Sequence, residues 1–237
     1  VPRFLPHAAG LLMQKEYDMI THLMNVPQRP YMAIIGGVKI SGKIEVLESL
    51  IEKVNTLFIG GAMANTFLQA IGYKIGKSVT EEDHIGTAKN LISKAQDKGV
   101  ELLLPTDVVV AHEAKSGVSH RTVGVSKIQK DEIALDIGKE TMKSLIPKIK
   151  QSKTIFWNGT LGMAEIPEFA WASRDLAHLM ALRNGKSDTI IGGGDTTAFI
   201  EKMGMHDKYR FVSTGGGASL ELLSGKKLPA IEALLTN

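Results

Sequence analysis

No cysteine occurs among the 237 residues. Disulfides, thiolate zinc centres and thiol nucleophiles are excluded, and a reducing compartment is compatible with the composition. An excess of one charge is also lacking. The chain has 28 Lys and Arg against 25 Asp and Glu, a net charge of +3, and no basic block of the kind a nucleic-acid backbone calls for. No apolar run approaches the roughly 20 residues of a membrane span, and no leader peptide is recognisable. The seven histidines show no metal-ligand spacing. These absences lead to the expectation of no nucleic-acid and no membrane partner; a cytoplasmic chain and a monomer are expected as well, though not from these absences. The first residue is Val1 rather than Met, so a fragment or processed chain is expected. What remains is an ordinary globular composition, long enough for one large domain or two small ones.

Short apolar runs recur at Tyr31–Ile35, Thr56–Ile59, Glu101–Leu104, Val108–Ala111, Thr154–Trp157, Thr189–Ile191 and Arg210–Ser213. Most are continuous rather than alternating, as in strands buried on both faces of a parallel sheet. Helical patterns lie between them. The apolar residues of Ser41–Val54 and Glu81–Lys98 each fall on one face, the second with Thr80 as expected N-cap and Gly99 as expected C′. Further helices are predicted at Lys139–Lys150, Phe169–Leu182, Thr196–Met203 and Pro229–Leu235. The alternation predicts an α/β fold: a doubly wound, mostly parallel sheet of about six strands with helices on both faces. His7–Met24 is a long helical pattern with no strand before it. It reads equally well as a connector from another domain or as a first helix packed on the sheet.

Five strands end in glycine: Ile34-Ile-Gly-Gly37, Ile59-Gly-Gly-Ala62, Trp157-Asn-Gly-Thr160, Ile191-Gly-Gly-Gly-Asp195 and Ser213-Thr-Gly-Gly-Gly217. In an open α/β sheet the carboxyl ends share one edge, where ligands bind. Glycine admits a ligand close to the main chain, and the following helix aims free N–H groups at it. One such turn is only a turn. Five at one edge predict a nucleotide or phosphate site, with the glycines exposing amides to phosphoryl oxygens. No junction has the G-x-G-x-x-G spacing of a dinucleotide fold. Gly37-Val-Lys-Ile-Ser-Gly-Lys43 satisfies G-x-x-x-x-G-K, but Ile44 stands where a P-loop places Ser or Thr. Lys39 and Lys43 remain as positive charges beside a glycine turn.

These motifs resemble phosphoglycerate kinase, specifically its carboxy-terminal, nucleotide-binding half. The resemblance runs in order through Ala9-Gly-Leu-Leu-Met-Gln-Lys-Glu16, Gly36-Gly-Val-Lys-Ile-Ser-Gly-Lys43, Gly60-Gly-Ala-Met-Ala-Asn-Thr-Phe67, Leu104-Pro-Thr-Asp107, Leu135-Asp-Ile-Gly138, Trp157-Asn-Gly159, Gly192-Gly-Gly-Asp-Thr196 and Ser213-Thr-Gly-Gly-Gly-Ala-Ser-Leu-Glu221. It implies phosphoryl transfer between 1,3-bisphosphoglycerate and ADP, with Mg2+ and with ADP or ATP as substrate. Residues 1–24 would be the interdomain connecting helix and residues 25–237 the nucleotide-binding domain.

The resemblance also implies roles. Lys39, Gly193 and Gly216 would attend the transferring phosphoryl group, and Lys43 the nucleotide phosphates. Asp195 would hold magnesium. Gly194, Thr196, Ser213, Thr214, Gly215 and Gly217 would give amides and hydroxyls to phosphate oxygens. Glu165 would accept from ribose hydroxyls, and Asn158 would line the cleft. Gly60, Gly61, Val79, Leu135 and Met163 would wall the adenine slot. Such chemistry needs positioning and charge neutralisation rather than a nucleophile.

Departures from the family pattern cluster near that slot: Val38 for Ala, Gly42 for Asp, Ala62 for Gly, Glu132-Ile-Ala134 for Trp-Met-Gly, Thr160 for Pro, and Met163-Ala164 without the usual Phe. Altered affinity or base preference is expected from them. The six arginines are scattered, so the phosphoglycerate grip is expected in an amino-terminal partner domain absent here, leaving this chain with little or no turnover. A stand-alone nucleotide-binding module and a degenerate, non-catalytic homologue are the other readings.

Overall fold

The computed structural model describes residues 7–235; Val1 and Arg3 lie outside the described residues. The chain opens with α1 (Leu11–Asn25) and continues β1 (Tyr31–Ile35), α2 (Ile44–Ile51), β2 (Thr56–Ile59), α3 (Met63–Ala70), α4 (Ile85–Asp97) and β3 (Glu101–Leu103). Next come β4 (Asp107–Ala111), β5 (His120–Gly124), β6 (Ile133–Ile137), α5 (Lys139–Gln151) and β7 (Thr154–Asn158). The last elements are α6 (Trp171–Ala181), β8 (Asp188–Gly192), α7 (Gly194–Lys202), β9 (Phe211–Val212), α8 (Gly216–Leu223) and α9 (Pro229–Leu235).

Six strands form one parallel sheet in the order β3-β2-β1-β7-β8-β9. The chain enters at the middle, winds outward through β2 and β3, returns to β7 beside β1, and winds outward the other way. The direction of winding reverses between β1 and β7, which is where such sheets open a crevice at their carboxyl edge. The continuous apolar runs follow from burial on both faces. Tyr31, Ala33 and Ile35 face a core with α1, α2, α3, α4 and α8. Met32 and Ile34, between them, face a second core with α5, α6 and α7, as the twofold alternation of a strand dictates.

Val108–Ala111, expected in the parallel sheet, instead forms the centre of a separate antiparallel sheet in the order β5-β4-β6. Its own small cores gather Leu68, Val108, Val110 and Val123 on one side and Leu135 and Phe169 on the other. This sheet stands beside the carboxyl edge of β1 and β2. Its β4 and β6 residues Val108 and Ile133–Ile137 form a wall of the cleft described below.

Local termini differ in instructive ways. Gly99 is the C′ residue, with φ +67° and the Val100 amide returning to Ala95 O at 2.8 Å. Thr80 is not an N-cap. A 3-10 turn at Glu82–His84 intervenes before α4, and the Thr80 hydroxyl donates to Gln69 Oε1 at 2.9 Å. Asp107 starts β4 and also caps α5, accepting from the Thr141 amide at 2.8 Å and the Glu140 amide at 3.1 Å. α1 packs on the sheet through Ile20 and Leu23, both fully buried, while its first turn stays exposed: Leu11 is 91% exposed.

Candidate nucleotide-binding site

All five glycine junctions lie at the carboxyl edge of the parallel sheet, because β1, β2, β7, β8 and β9 run the same way. Their glycines do two different jobs. At β1, β2 and β7 the main chains interlock. Gly36 N donates to Asn158 O at 2.8 Å, Gly37 N to Thr160 O at 3.0 Å, and Gly61 N to Leu161 O at 3.2 Å. A Cβ on Gly61 would sit 2.4 Å from Gly37 O, at a φ of +65°. These amides are consumed within the fold, so the expectation that every junction offers open amides is corrected. Glycine is needed at β1, β2 and β7 because three backbones meet there without room for side chains.

Open amides remain at β8 and β9. Gly193 is the N-cap of α7, with φ +88°, and Asp195 sits in the first turn. The first-turn N–H groups of Gly194, Asp195 and Thr196 have no intrahelical acceptor. Those of Gly216 and Gly217, which open α8, make no bond to another segment. Thr196 turns its hydroxyl inward, accepting from Gly159 N at 2.6 Å.

The 213–215 turn is partly occupied by the protein itself. Glu16, on α1, accepts from Ser213 Oγ at 2.8 Å, from Thr214 N at 2.6 Å and from Thr214 Oγ1 at 3.0 Å. Ser213 Oγ in turn accepts from Gly215 N at 3.2 Å. Three of the groups assigned to phosphate oxygens (Ser213, Thr214 and Gly215) are thus engaged internally. Glu16 was missed as a contributor because nothing local in an amphipathic helix marks one carboxylate as reaching a loop about 200 residues on.

Lys43 occupies the switch point. Its ammonium donates to Gly36 O at 2.7 Å and to Asn158 Oδ1 at 2.8 Å. Burial pulls its pKa down to about 8, opposed by the nearby charge of Asp195. Asn158 is itself buried, and its Nδ2 finds no hydrogen-bond partner. That group points toward Gly193, where an added Cβ would lie 2.5 Å away. An orphaned donor beside a buried cation and a free helix N-terminus is a place built for an acceptor-rich anion. Lys39, by contrast, is exposed and its ammonium has no partner.

A cavity of about 330 Å³ opens from this point toward the second sheet. Gly61, Val79, Leu135, Met163, Glu165 and Asp195 line it, as the sequence suggested, whereas Gly60 lies behind Leu161. Val79 and Met163 are 53% and 38% exposed, an apolar rim for a flat ligand. Val38 also lines it and is exposed rather than wedged against the strand. The wall holds one group the sequence did not single out. Asp136 is 3% exposed and receives the amides of Ile137 at 2.9 Å and Ala172 at 3.0 Å. Burial raises its pKa to about 7 despite those bonds.

Lys39 and the 215–217 turn lie on the same edge, three strand spacings apart, or about 14 Å. Among the described residues there is no cluster of three or more His, Asp or Glu that could hold a metal unaided, and no helix is long and apolar enough to cross a membrane. An exposed carboxylate such as Asp195 fits a cation that is shared with ligand phosphates rather than caged by protein.

A doubly wound sheet with a buried lysine at its switch point, free helix N-termini beside it and an apolar slot alongside defines a doubly wound α/β protein with a candidate anion-binding cleft. Comparison with known sequences narrows this: the family model for phosphoglycerate kinase matches residues 1–226, and the chain belongs to that family. It is 47% identical over 234 residues to a phosphoglycerate kinase of Moorella thermoacetica, covering 99% of this chain and 59% of the relative. A cytosolic phosphoglycerate kinase of Nicotiana tabacum is 47% identical over 230 residues, which is 57% of its length. Among solved structures, phosphoglycerate kinase from Coxiella burnetii superposes with a TM-score of 0.90 at 41% identity, over 96% of this chain and 58% of that one. The Pyrococcus horikoshii enzyme gives 0.83 at 25% identity. The chain therefore spans about three fifths of the length of the relatives it matches.

Proposed function

We propose that this chain is the nucleotide-binding half of a phosphoglycerate kinase, holding Mg-ADP or Mg-ATP for phosphoryl transfer between 1,3-bisphosphoglycerate and ADP. The observation that carries the reading is Lys43, buried between Gly36 O and Asn158 at the switch point. A cation is kept in a dry site only where its charge has use.

The apolar slot takes the base, with Val79, Leu135 and Met163 against its faces and Glu165 reaching the ribose. Lys43, Asn158 Nδ2 and the amides of α7 receive the phosphates. Asp195 holds the magnesium ion, which neutralises phosphate charge when bound. Lys39 and the amides of Gly216 and Gly217 face the group in transfer from either side. The Lys43 ammonium and the main-chain amides are already held at the sheet edge, which favours phosphate binding with little reorganisation.

Turnover needs a grip on the acid substrate, and no free arginine among the described residues offers one. The five described arginines are all engaged within the fold: Arg29 with Asn55, Arg121 with Glu132, Arg174 with Pro167 O, Arg183 with Ser187 and Arg210 with Asp188. Residues 1–24 are read as the connection to a phosphoglycerate-binding domain.

Calorimetric titration with Mg-ADP, alongside fluorescence of Trp157 and Trp171, tests the reading. Saturable binding and negligible conversion of 1,3-bisphosphoglycerate by the chain alone are expected. Absence of binding at millimolar Mg-ADP sinks it.

A further inference from the structure

The turn that carries Lys39 is held by a residue from a distant segment. α2 begins with Lys43 as N-cap and no side-chain capping bond, and Gly42 before it contributes nothing. Glu81, in the connection between α3 and α4, takes that place. Its carboxylate accepts from Ile40 N at 2.5 Å, from Ser41 N at 3.2 Å and from Ser41 Oγ at 2.6 Å. Burial opposes its ionisation, but the bonds from Ser41 and Ile40 outweigh it and hold the carboxyl below its usual range.

Glu81 is itself fixed. Its amide donates to Thr66 Oγ1 at 3.2 Å, and Asn65 Nδ2 donates to Val79 O at 3.0 Å, so two buried polar residues of α3 set the course of residues 79–81. On the other side Ile40 is a fully buried peg in the core. Lys39 thus has a root pinned at its following residue and a tip with no partner.

We infer that Glu81 is a positioning residue for Lys39, holding the 39–41 turn so that the lysine's ammonium addresses the outer phosphates of a bound nucleotide. This rests on the nucleotide reading for its purpose, though not for its geometry. Charge-assisted bonds to main-chain amides are the stronger kind; they add to the buried Ile40 side chain and to the Lys43 N bond to Ile40 O at 2.8 Å, and losing them loosens the root of the side chain without touching the slot for the base.

The test uses Glu81→Ala and Glu81→Gln in the 237-residue chain, with amide exchange, calorimetry and thermal melting. In Glu81→Ala the Ile40 and Ser41 amides should exchange at least about tenfold faster while β1 amides keep their rates. Mg-ATP affinity should fall about tenfold with AMP affinity unchanged, and Glu81→Gln should fall between. Unchanged exchange at Ile40 and Ser41 overturns the inference. So does equal weakening of AMP and Mg-ATP with a lowered melting temperature, which is what a general structural role would give. If the unsubstituted chain binds neither ligand, the nucleotide reading fails, and the exchange rates alone decide the role of Glu81.

Discussion

Lys43 and Asn158, 115 positions apart, meet at 2.8 Å. This contact joins the end of β7 to the start of α2 across the point where the sheet changes its direction of winding. It also fixes the protonation behaviour of the site. A lysine pushed down to about 8 costs stability while charged, so the unliganded chain should grow more stable as pH rises from about 8 toward the unfolded value near 10.4. Bound phosphate reverses the preference. Mg-ADP binding at pH 8 should take up protons, and affinity should weaken above that pH. Titration in buffers of different ionisation enthalpy measures the uptake, and Lys43→Met should abolish it.

Asp136 carries the opposite dependence. Its folded value, raised to about 7 by burial, exceeds its unfolded value near 3.9. The stabilisation is full below about pH 4 and is lost as pH rises through 7, up to about 4 kcal/mol in all. Asp136→Asn should flatten denaturation midpoints over that window. It should also cost about 1–2 kcal/mol at low pH, since one acceptor oxygen is lost where two amides converge.

Replacing Glu16 with Ala removes the acceptor shared by Ser213 and Thr214. A loss of about 0.5–1.5 kcal/mol in urea denaturation is expected, the net worth of a typical hydrogen bond, because the Thr214 donors are exposed and Ser213 Oγ keeps Ser219 as a partner. Amide exchange should quicken at Thr214 and Gly215 and stay unchanged at the α7 N-terminus. Uniform quickening across both loops would contradict this.

Two glycines of the β1–α2 and β2–α3 loops should respond oppositely. Gly61→Ala drives a Cβ to 2.4 Å from Gly37 O at a φ of +65°, so a loss above about 2 kcal/mol is expected. Gly42→Asp meets nothing within 4 Å and puts a carboxylate before the amino end of α2. A gain of about 0.5 kcal/mol is expected. Denaturant midpoints separate the two.

The parallel sheet was legible because each of its strands is buried on both sides, leaving continuous runs such as Tyr31–Ile35 whose bounds the structure reproduces. The second sheet was not. In β5, only Val123 is buried among His120–Gly124, so no apolar signal marks it. α3 also escaped notice, because Asn65 and Thr66 sit at buried helix positions and interrupt the apolar period; their hydroxyl and amide serve residues 79–81 instead. In the site, the glycine turns at the sheet edge and the positive charge of Lys43 beside one of them were readable from local pattern. Glu16, Glu81 and Asp136 were not, since each acts on a segment remote in sequence, and a lone carboxylate carries no trace of its target.

The floor of the cleft is woven from the main chains of residues 36–37, 60–61 and 159–161. A surface made of peptide groups has no side chain to lose, and its contour is indifferent to what the neighbouring residues become. Val38, Ala62 and Thr160, set apart above from the expected family pattern, sit around or within that backbone floor. It also lets the residues that line the slot vary while the backbone beneath them keeps one contour.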